Sequence, residues 1–428
     1  MKIRIKPNWV VLTFLFLLFP VIASAEETSK ISYADTAWIM VSSALVMLML
    51  PGLALFYGGM VRRKNVLSTL MHSFIPLGVI TIQWLLFGYS LAFGNDIGHF
   101  VGDLSKVMFI GFDFKTLSGT IPEFLFSMFQ LMFAIITAAL ISGGMAERVD
   151  FKAYIIFIFI WSTVVYDPIC HWVWGGGWLG NLGALDFAGG TVVHIASGTA
   201  ALAAALVLKQ RRGFPGKLMI PHSLPLTLLG AGLLWFGWFG FNAGSALAAD
   251  ELAVLAFTNT QVATGAGLIG WILAEYIKVG KASALGAASG IVAGLVAITP
   301  AAGFVEPVWA MVIGFLAGII CYYAVIVKIK VGYDDSLDVF GIHAIGGAWG
   351  ALATGLFVTV GGTGLLTGNF NQVWVQLVGI VAAGAYSFII TYVLVVMIDK
   401  TIGFRVNEED EEMGLDTTQH GETGYNLV

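Results

Sequence analysis

Two histidines lie inside long apolar stretches, each a short distance after an Asp and several small residues. The stretches read DFAGGTVVH at 186–194 and DVFGIH at 338–343, so His194 follows Asp186 and His343 follows Asp338. An ionisable side chain at membrane depth is costly and usually lines the path of something polar. An imidazole can also donate or accept a hydrogen bond and hold a proton near neutral pH. The pair is therefore the first candidate for the lining of a transport pore.

The composition of the chain defines the surroundings of these histidines. The 428 residues are 58% hydrophobic and 11% charged, whereas a soluble domain carries about 25% charged residues. Glycine accounts for 53 residues, and small residues allow transmembrane helices to approach each other closely. These values indicate an integral membrane protein with tightly packed helices.

About 20 apolar residues are needed to cross the hydrocarbon core of a bilayer, and the chain after residue 25 contains eleven such segments. They lie at 35–58, 66–93, 122–145, 153–174, 188–208, 222–244, 256–278, 283–299, 304–327, 338–358 and 373–399. We therefore predict an all-α membrane protein with eleven transmembrane helices.

The distribution of basic residues predicts the orientation. Of the 21 Lys and Arg residues, three precede residue 25, and Lys30, Lys106 and Lys115 fall in outer loops if the mature chain starts outside, which leaves 15 on the inner side. This excess agrees with the positive-inside rule. The N-terminus is predicted outside and the C-terminus inside.

The first 25 residues have the pattern of a secretory signal peptide. Lys2, Arg4 and Lys6 precede an apolar run at 10–22, and small residues ASA at 23–25 follow it. The alternative is a permanent first helix, for which the apolar run is short. We expect cleavage after residue 25, followed by a membrane domain at 26–400 and a polar tail at 401–428.

The two Asp-to-His segments begin spans five and ten, which enter the membrane from opposite sides in this topology. This is typical of an inverted repeat, with 35–208 as the first repeat, 222–358 as the second and 373–399 as an additional helix. If helical, the two segments rise about 12 Å and about 8 Å to their histidines. The two imidazoles are therefore expected to approach each other inside the bilayer.

Several longer motifs resemble the ammonium transporter family (Amt/Mep/Rh), and its bacterial Amt branch in particular. They include PGLALFYGGMVRRKNVLS at 51–68, HWVWGGGWL at 171–179, GALDFAGGTVVHI at 183–195, GWFGFNAGSA at 237–246, DDSLDVFGIHAIGG at 334–347 and GLDTTQHGE at 414–422. The resemblance covers nearly every span and the tail. It implies a homotrimer in which each subunit has its own narrow pore for ammonia nitrogen.

The resemblance also implies roles for individual residues. Trp174, Phe129 and Ser245 correspond to the family's outer site, where aromatic faces attract ammonium and a hydroxyl accepts one of its N–H groups. Phe129 and Phe241 correspond to the stacked rings that close the pore, and Trp238 is expected to support it.

Below these rings, His194 and His343 resemble the family's twin histidines, which guide ammonia after deprotonation. Asp186 is expected to cap a helix start near the outer site, and Asp338 to do the same at the inner end. Asp167 has no counterpart role in the family, and we expect it to deepen the negative potential of the outer vestibule.

Partners follow from the same resemblance. The acidic run at 408–412 resembles a solvated terminus, whereas GLD and HGE in the tail resemble a regulatory segment. A PII-type signalling protein is the expected cytoplasmic partner, the bilayer of a bacterial inner membrane the expected location, and neither a cofactor, a metal nor a nucleic acid is expected.

Other functions stay open at this point. A membrane enzyme is disfavoured because HExxH, GxSxG and paired carboxylates at metal-ligand spacing are absent from the sequence. An ammonium sensor with little flux would share every recruitment residue. An Rh-like neutral gas channel is disfavoured by Trp174, Ser245 and the tail.

Overall fold

The described residues of the computed structural model, 30–425, are mainly helical, and the predicted signal peptide at 1–25 lies outside them. Ten helices are long and apolar enough to cross a membrane. In chain order, with one shorter helix as α8, the helices are α1 (Tyr33–Met60), α2 (Arg63–Phe93), α3 (Glu123–Met145), α4 (Phe151–Leu182), α5 (Gly190–Leu208), α6 (Leu224–Gly244), α7 (Glu251–Val279), α8 (Ala284–Ile298), α9 (Pro307–Val331), α10 (Phe340–Phe357) and α11 (Phe370–Ile402).

Helix α8 is the exception among the eleven predicted spans. It has 15 residues, which at 1.5 Å per residue rise about 22 Å, less than the ~30 Å of a hydrocarbon core. Each predicted span contains a helix, but only ten of those in residues 30–425 reach the length of a crossing. The all-α membrane class is confirmed, whereas the count of eleven crossings and the orientation stay predictions.

Close packing between α7, α8 and α9 depends on small residues. A Cβ atom at Gly314 would lie 2.1 Å from the carbonyl oxygen of Ala263, and one at Gly318 would lie 2.2 Å from that of Gly267. Neither distance leaves room for a methyl group. The high glycine content thus allows backbone-to-backbone contact, as helix association in lipid requires.

Four of the helices contain a π-helical turn, which inserts a residue and turns the following side chains to a different face. These turns are Trp84–Gly88 in α2, Ser162–Tyr166 in α4, Gly190–Ile195 at the start of α5 and Phe340–Ala344 at the start of α10. The last two turns carry His194 and His343. Helix α4 is also interrupted at 175–177, directly after Trp174.

The loops on the side of the bundle opposite the tail contain two short antiparallel hairpins. They pair β1 (Asp96–Ile97) with β2 (Val101–Gly102) and β3 (Leu117–Ser118) with β4 (Ile121–Pro122). A single 3₁₀ turn, Val107–Phe109, lies between the hairpins, and another, Leu365–Thr367, precedes α11.

The tail folds back against the bundle instead of extending into solvent. It contains two short helices, α12 (Glu408–Met413) and α13 (Leu415–His420). Asp416 Oδ1 accepts a hydrogen bond of 2.9 Å from the backbone N–H of Ser68, and Asn65 Oδ1 accepts one of 2.8 Å from Leu415. The end of the chain is therefore coupled to the start of α2.

A buried ion network joins the loops on this face. Glu147 Oε2 lies 2.8 Å from Arg211 Nη1, and its Oε1 lies 2.9 Å from Arg62 Nε. Arg211 also pairs with Asp334 at 2.8 Å. Burial raises the pKa of Glu147, but the two guanidinium groups outweigh it, so this pKa lies below its ordinary value. The carboxylate stabilises the fold at neutral pH, and this contribution disappears as the pH falls through the folded-state pKa.

Replacing Glu147 with Ala is expected to cost about 3 to 5 kcal/mol, because it removes the carboxylate partner of Arg62 and leaves the buried Arg211 with Asp334 alone. The midpoint of thermal unfolding of the solubilised protein, followed by tryptophan fluorescence, measures the loss. Arg212→Ala is the matched control, since Arg212 is half exposed and its pairs with Glu408 and Glu412 should contribute at most about 1 kcal/mol. Equal midpoints for the two variants would contradict a stabilising role for the network.

Candidate functional site

An open vestibule of about 320 Å³ lies on the side of the bundle opposite the tail. Trp174, at the end of the first part of α4, and Ser245, which caps the C-terminal end of α6, both line it. The indole Nε1 of Trp174 donates a 2.9 Å hydrogen bond to the carbonyl oxygen of Asp186. This bond holds the indole in place at the wall of the vestibule.

Aromatic rings close the bottom of the vestibule. Phe133 meets Trp174 edge-on, with ring centroids 5.9 Å apart, and lies against Phe241 with centroids 4.4 Å apart. Phe241 is fully buried and also lines the cavity below. The Phe133–Phe241 pair therefore separates the vestibule from that cavity.

The position of Phe129 does not match the role at the vestibule and the gate that the sequence predicted for it. It is fully buried, and its ring meets Phe133 edge-on at 5.0 Å. From α3, the vestibule is instead lined by Phe126, Gln130 and Phe133. Phe133, one helical turn after Phe129, is the ring that faces Phe241. Sequence reasoning missed Phe133, although its spacing of four residues puts it on the same helix face as Phe129.

The two histidines meet in the buried interior. His194 Nδ1 and His343 Nδ1 are 3.2 Å apart, and the two rings are inclined by 28°. Because a hydrogen bond between two ring nitrogens needs one N–H and one lone pair, the geometry fits two neutral imidazoles of opposite tautomer. Both side chains are nearly inaccessible to solvent. The predicted approach of the two rings agrees with this geometry.

The cavity that contains the pair is narrow and apolar. It measures about 10 Å³, which is room for about one water-sized molecule. Its other lining residues are apolar or aromatic, namely Met49, Leu53, Phe56, Ile136, Leu140, Leu234, Trp238, Phe241 and Val292. Trp238 stacks on His194 with centroids 5.4 Å apart and is held by a 2.9 Å hydrogen bond to Thr299 Oγ1. His194 Nε2 has no hydrogen-bond partner, so it is free for a solute in the cavity.

Asp186 caps the start of α5. Its Oδ1 accepts from the backbone N–H groups of Gly189 at 2.9 Å and Gly190 at 2.6 Å, and its Oδ2 accepts from Thr191 at 2.8 Å and Val192 at 3.1 Å. A helix start leaves such donors unpaired, and a carboxylate is a favourable partner for them. The cap orients the π-turn that carries His194.

Asp338 is not the equivalent cap at α10. Its carboxylate forms an ion pair with Lys328 and remains partly exposed. The cap is Asp335, which is fully buried and accepts a 2.8 Å hydrogen bond from the backbone N–H of Phe340. Burial raises the pKa of Asp335 to about 6 against the opposing charge of Lys328. Asp335 precedes His343 by eight residues, as Asp186 precedes His194, and this spacing could have revealed it.

Asp186→Ala is expected to destabilise the fold more than Asp335→Ala. The first change removes the acceptor of four backbone N–H groups, and each such hydrogen bond to a charged group is worth about 1.5 to 3 kcal/mol. Thermal unfolding gives the overall loss, and hydrogen exchange of amides 189–192 reports it locally. Unchanged exchange at these amides in Asp186→Ala would contradict the capping role.

Comparison with known proteins agrees with this arrangement. A sequence model of the Ammonium Transporter Family matches residues 37–425. The chain is 52% identical over 401 residues to an ammonium transporter of Bacillus subtilis, with 91% of this chain and 98% of the relative covered. It is 50% identical over 416 residues to an ammonium transporter of Aquifex aeolicus, with 96% and 97% covered.

Solved structures of similar fold include other proteins named Mep2 or Amt. The crystal structure of Candida albicans Mep2 superimposes with a TM-score of 0.84 at 38% identity, covering 89% of this chain and 88% of that one. A protein described as a sensor Amt protein superimposes with a TM-score of 0.85 at 28% identity, covering 90% and 98%. The chain belongs to the ammonium transporter family.

Proposed function

We propose that this protein conducts ammonia nitrogen across the membrane by recruiting ammonium at the vestibule and passing it, deprotonated, through the cavity of His194 and His343. The observation that carries the proposal is the 3.2 Å contact between two imidazoles within an otherwise apolar cavity. A cation stripped of water would lose several kcal/mol or more in such a cavity, whereas neutral ammonia needs only a hydrogen-bond partner.

Recruitment is supported by the composition of the vestibule. The Trp174 and Phe133 rings attract a cation by about 0.5 to 2 kcal/mol each, which suits capture without trapping. Asp186, whose backbone carbonyl oxygen accepts the hydrogen bond of the indole, has a carboxylate that favours a positive charge in the vestibule without direct contact. Ser245, whose hydroxyl donates to the carbonyl oxygen of Phe241 at 2.9 Å, keeps lone pairs for an ammonium N–H.

The Phe133–Phe241 pair acts as the gate in this proposal. Rotation of either ring admits a small neutral molecule and keeps a hydrated ion out. Below the gate, the unpaired Nε2 of His194 offers a hydrogen-bonding site. Deprotonation above the gate excludes potassium, which has no proton to give up. The proton crosses separately or stays outside.

The arrangement of the protein in the cell is part of the same proposal. The inverted repeat of 35–208 and 222–358, an N-out and C-in orientation and a homotrimer in a bacterial inner membrane are inferred from the basic loops and from the family. The tail at 401–428 is the regulatory segment and the expected contact of a PII-type protein. Its hydrogen bonds to Ser68 and Asn65 support a link between the tail and α2.

An ammonium sensor is the second candidate, because one structural neighbour is described as a sensor Amt protein. A sensor would bind ammonium at the same vestibule but would pass little of it. Flux through purified protein in liposomes distinguishes the two functions.

Ammonium uptake by proteoliposomes tests the proposal. Trp174→Leu is expected to raise the half-saturating ammonium concentration about 2- to 30-fold, because one cation–π contact is lost. The flux at saturating ammonium should persist. Trp172→Leu is the matched control, because Trp172 donates to the carbonyl oxygen of Phe100 and is not among the residues that line the vestibule. His194→Ala is expected to reduce the flux at saturation. Wild-type protein that binds ammonium without measurable uptake would favour the sensor.

A further inference from the structure

Asp167 is a buried carboxyl group that the proposed transport path does not use. It begins the segment of α4 that directly follows the π-turn Ser162–Tyr166, and its side chain is fully buried. Gln83 of α2, which directly precedes the π-turn Trp84–Gly88, faces it. Gln83 Nε2 lies 2.7 Å from Asp167 Oδ2. Two π-turns, which often mark functional positions, thus border the pair.

The surroundings of Asp167 do not suit a negative charge. The titratable groups near it are Tyr166, Cys170 and Asp186, none of which supplies a positive charge to it. Among residues 30–425, no Lys, Arg or His forms an ion pair with it. Its one hydrogen-bond partner in the part of the chain that the structure describes is the neutral amide of Gln83. An isolated buried carboxylate would cost several kcal/mol.

Asp186 provides the comparison within the same protein. It is also buried, but four backbone N–H groups point at its two oxygens. Such donors stabilise the ionised form of a carboxyl group. The two buried Asp residues therefore differ in the support that they offer a negative charge, since Asp186 has four backbone N–H donors and Asp167 has none among residues 30–425.

Gln83 and Asp167 together have one hydrogen-bond donor too few for their acceptor atoms. Gln83 Nε2 donates to Asp167 Oδ2 and to Thr163 Oγ1 at 3.2 Å, and the Thr163 hydroxyl donates its own proton to the carbonyl oxygen of Phe159 at 2.9 Å. Gln83 Oε1 and Asp167 Oδ1 are both buried without a partner. If Asp167 were ionised, both atoms could only accept.

A single proton on Asp167 supplies the missing donor. It turns one orphan acceptor into a donor and makes the neighbouring amide oxygen available as its acceptor. The same conclusion holds if the amide of Gln83 is turned by 180°, because its oxygen would then face a carboxyl oxygen. Gly88 leaves space for the amide, since a Cβ atom there would lie 2.6 Å from Gln83 Oε1.

We propose that Asp167 is a proton-binding site, whose neutral carboxylic acid pairs with the amide of Gln83 and joins α2 to α4. The site retains its proton during transport and does not relay it, because the hydrogen bonds that lead away from it in residues 30–425 pass through the Gln83 amide and the Thr163 hydroxyl and end at the carbonyl oxygen of Phe159. It is a positioning residue for α4, which carries Trp174 seven residues further on. A neutral Asp167 cannot deepen the potential of the vestibule, so this proposal replaces the expectation drawn from the sequence.

Infrared spectroscopy of the full chain in lipid tests the site independently of transport. A protonated carboxylic acid has a carbonyl stretch well separated from that of a carboxylate. At neutral pH, the spectrum of wild type minus that of Asp167→Asn should contain one carbonyl band of a protonated acid. The frequency of this band should fall slightly in D₂O, as it does when the acid proton is exchanged for deuterium. Asp103→Asn is the control, because hydrogen bonds from Ser105 and Asn95 lower the pKa of Asp103 to about 2 and it contributes no acid band.

The Asp167→Asn variant also separates this proposal from its rivals. Asn replaces a neutral acid with a neutral amide of the same shape, so the variant should fold, keep its unfolding midpoint and retain the wild-type half-saturating ammonium concentration. The proposal is overturned if wild type lacks the acid band or if Asp167→Asn is strongly destabilised. It is also overturned if Asp167→Asn loses the ammonium-driven current, which is the result expected of a proton relay.

Discussion

The cost of holding a charge in an apolar interior is the constraint on which the rest of this structure depends. In the proposed function, a cation occupies the vestibule because aromatic faces and a hydroxyl are available to it. It would be costly in the cavity below Phe133 and Phe241, where the ionisable lining residues of the described chain are His194 and His343 and the rest are apolar or aromatic. We therefore propose that the solute changes its charge between the two compartments, which ammonium can do by losing a proton.

The same constraint explains the polar groups buried elsewhere in the bundle. Asp186 is paired with four backbone donors, and Asp335 with the start of α10 and the charge of Lys328. Glu147 lies between two guanidinium groups. Asp167 has only the amide of Gln83 beside it in the described part of the chain. A bound proton removes its charge, whereas the other buried carboxylates keep their charge beside backbone donors or cations.

Much of this arrangement could be predicted from the sequence, because it follows from patterns along one helix or one loop. The apolar segments identified every long helix, and the positions of His194 and His343 at equivalent helix starts predicted that they would meet. The cap at Asp186 follows from the adjacent glycines. The length of α8 could not be predicted, since its apolar run continues into a turn at 299–304 that hydropathy does not distinguish from a helix.

The details that escaped prediction depend on which face a side chain occupies. Phe129 and Phe133 are both phenylalanines on one side of α3, and only packing decides which ring meets Phe241. Asp335 and Asp338 both lie near the start of the same helix, and Lys328, which lies ten residues before Asp338 in the sequence, forms an ion pair with Asp338. The π-turns have no sequence signature at all, yet they border both Gln83 and Asp167.

Simultaneous tracer fluxes of rubidium and ammonium through purified wild-type protein in liposomes show whether the solute crosses the cavity with or without its charge. Rubidium resembles ammonium in size and charge but has no proton to release. If the solute crosses as neutral ammonia, ammonium is taken up with no protein-dependent rubidium uptake, even with rubidium in large excess. Entry of both ions at comparable rates would mean that a charged solute passes the two imidazoles, and deprotonation before the cavity would then be wrong.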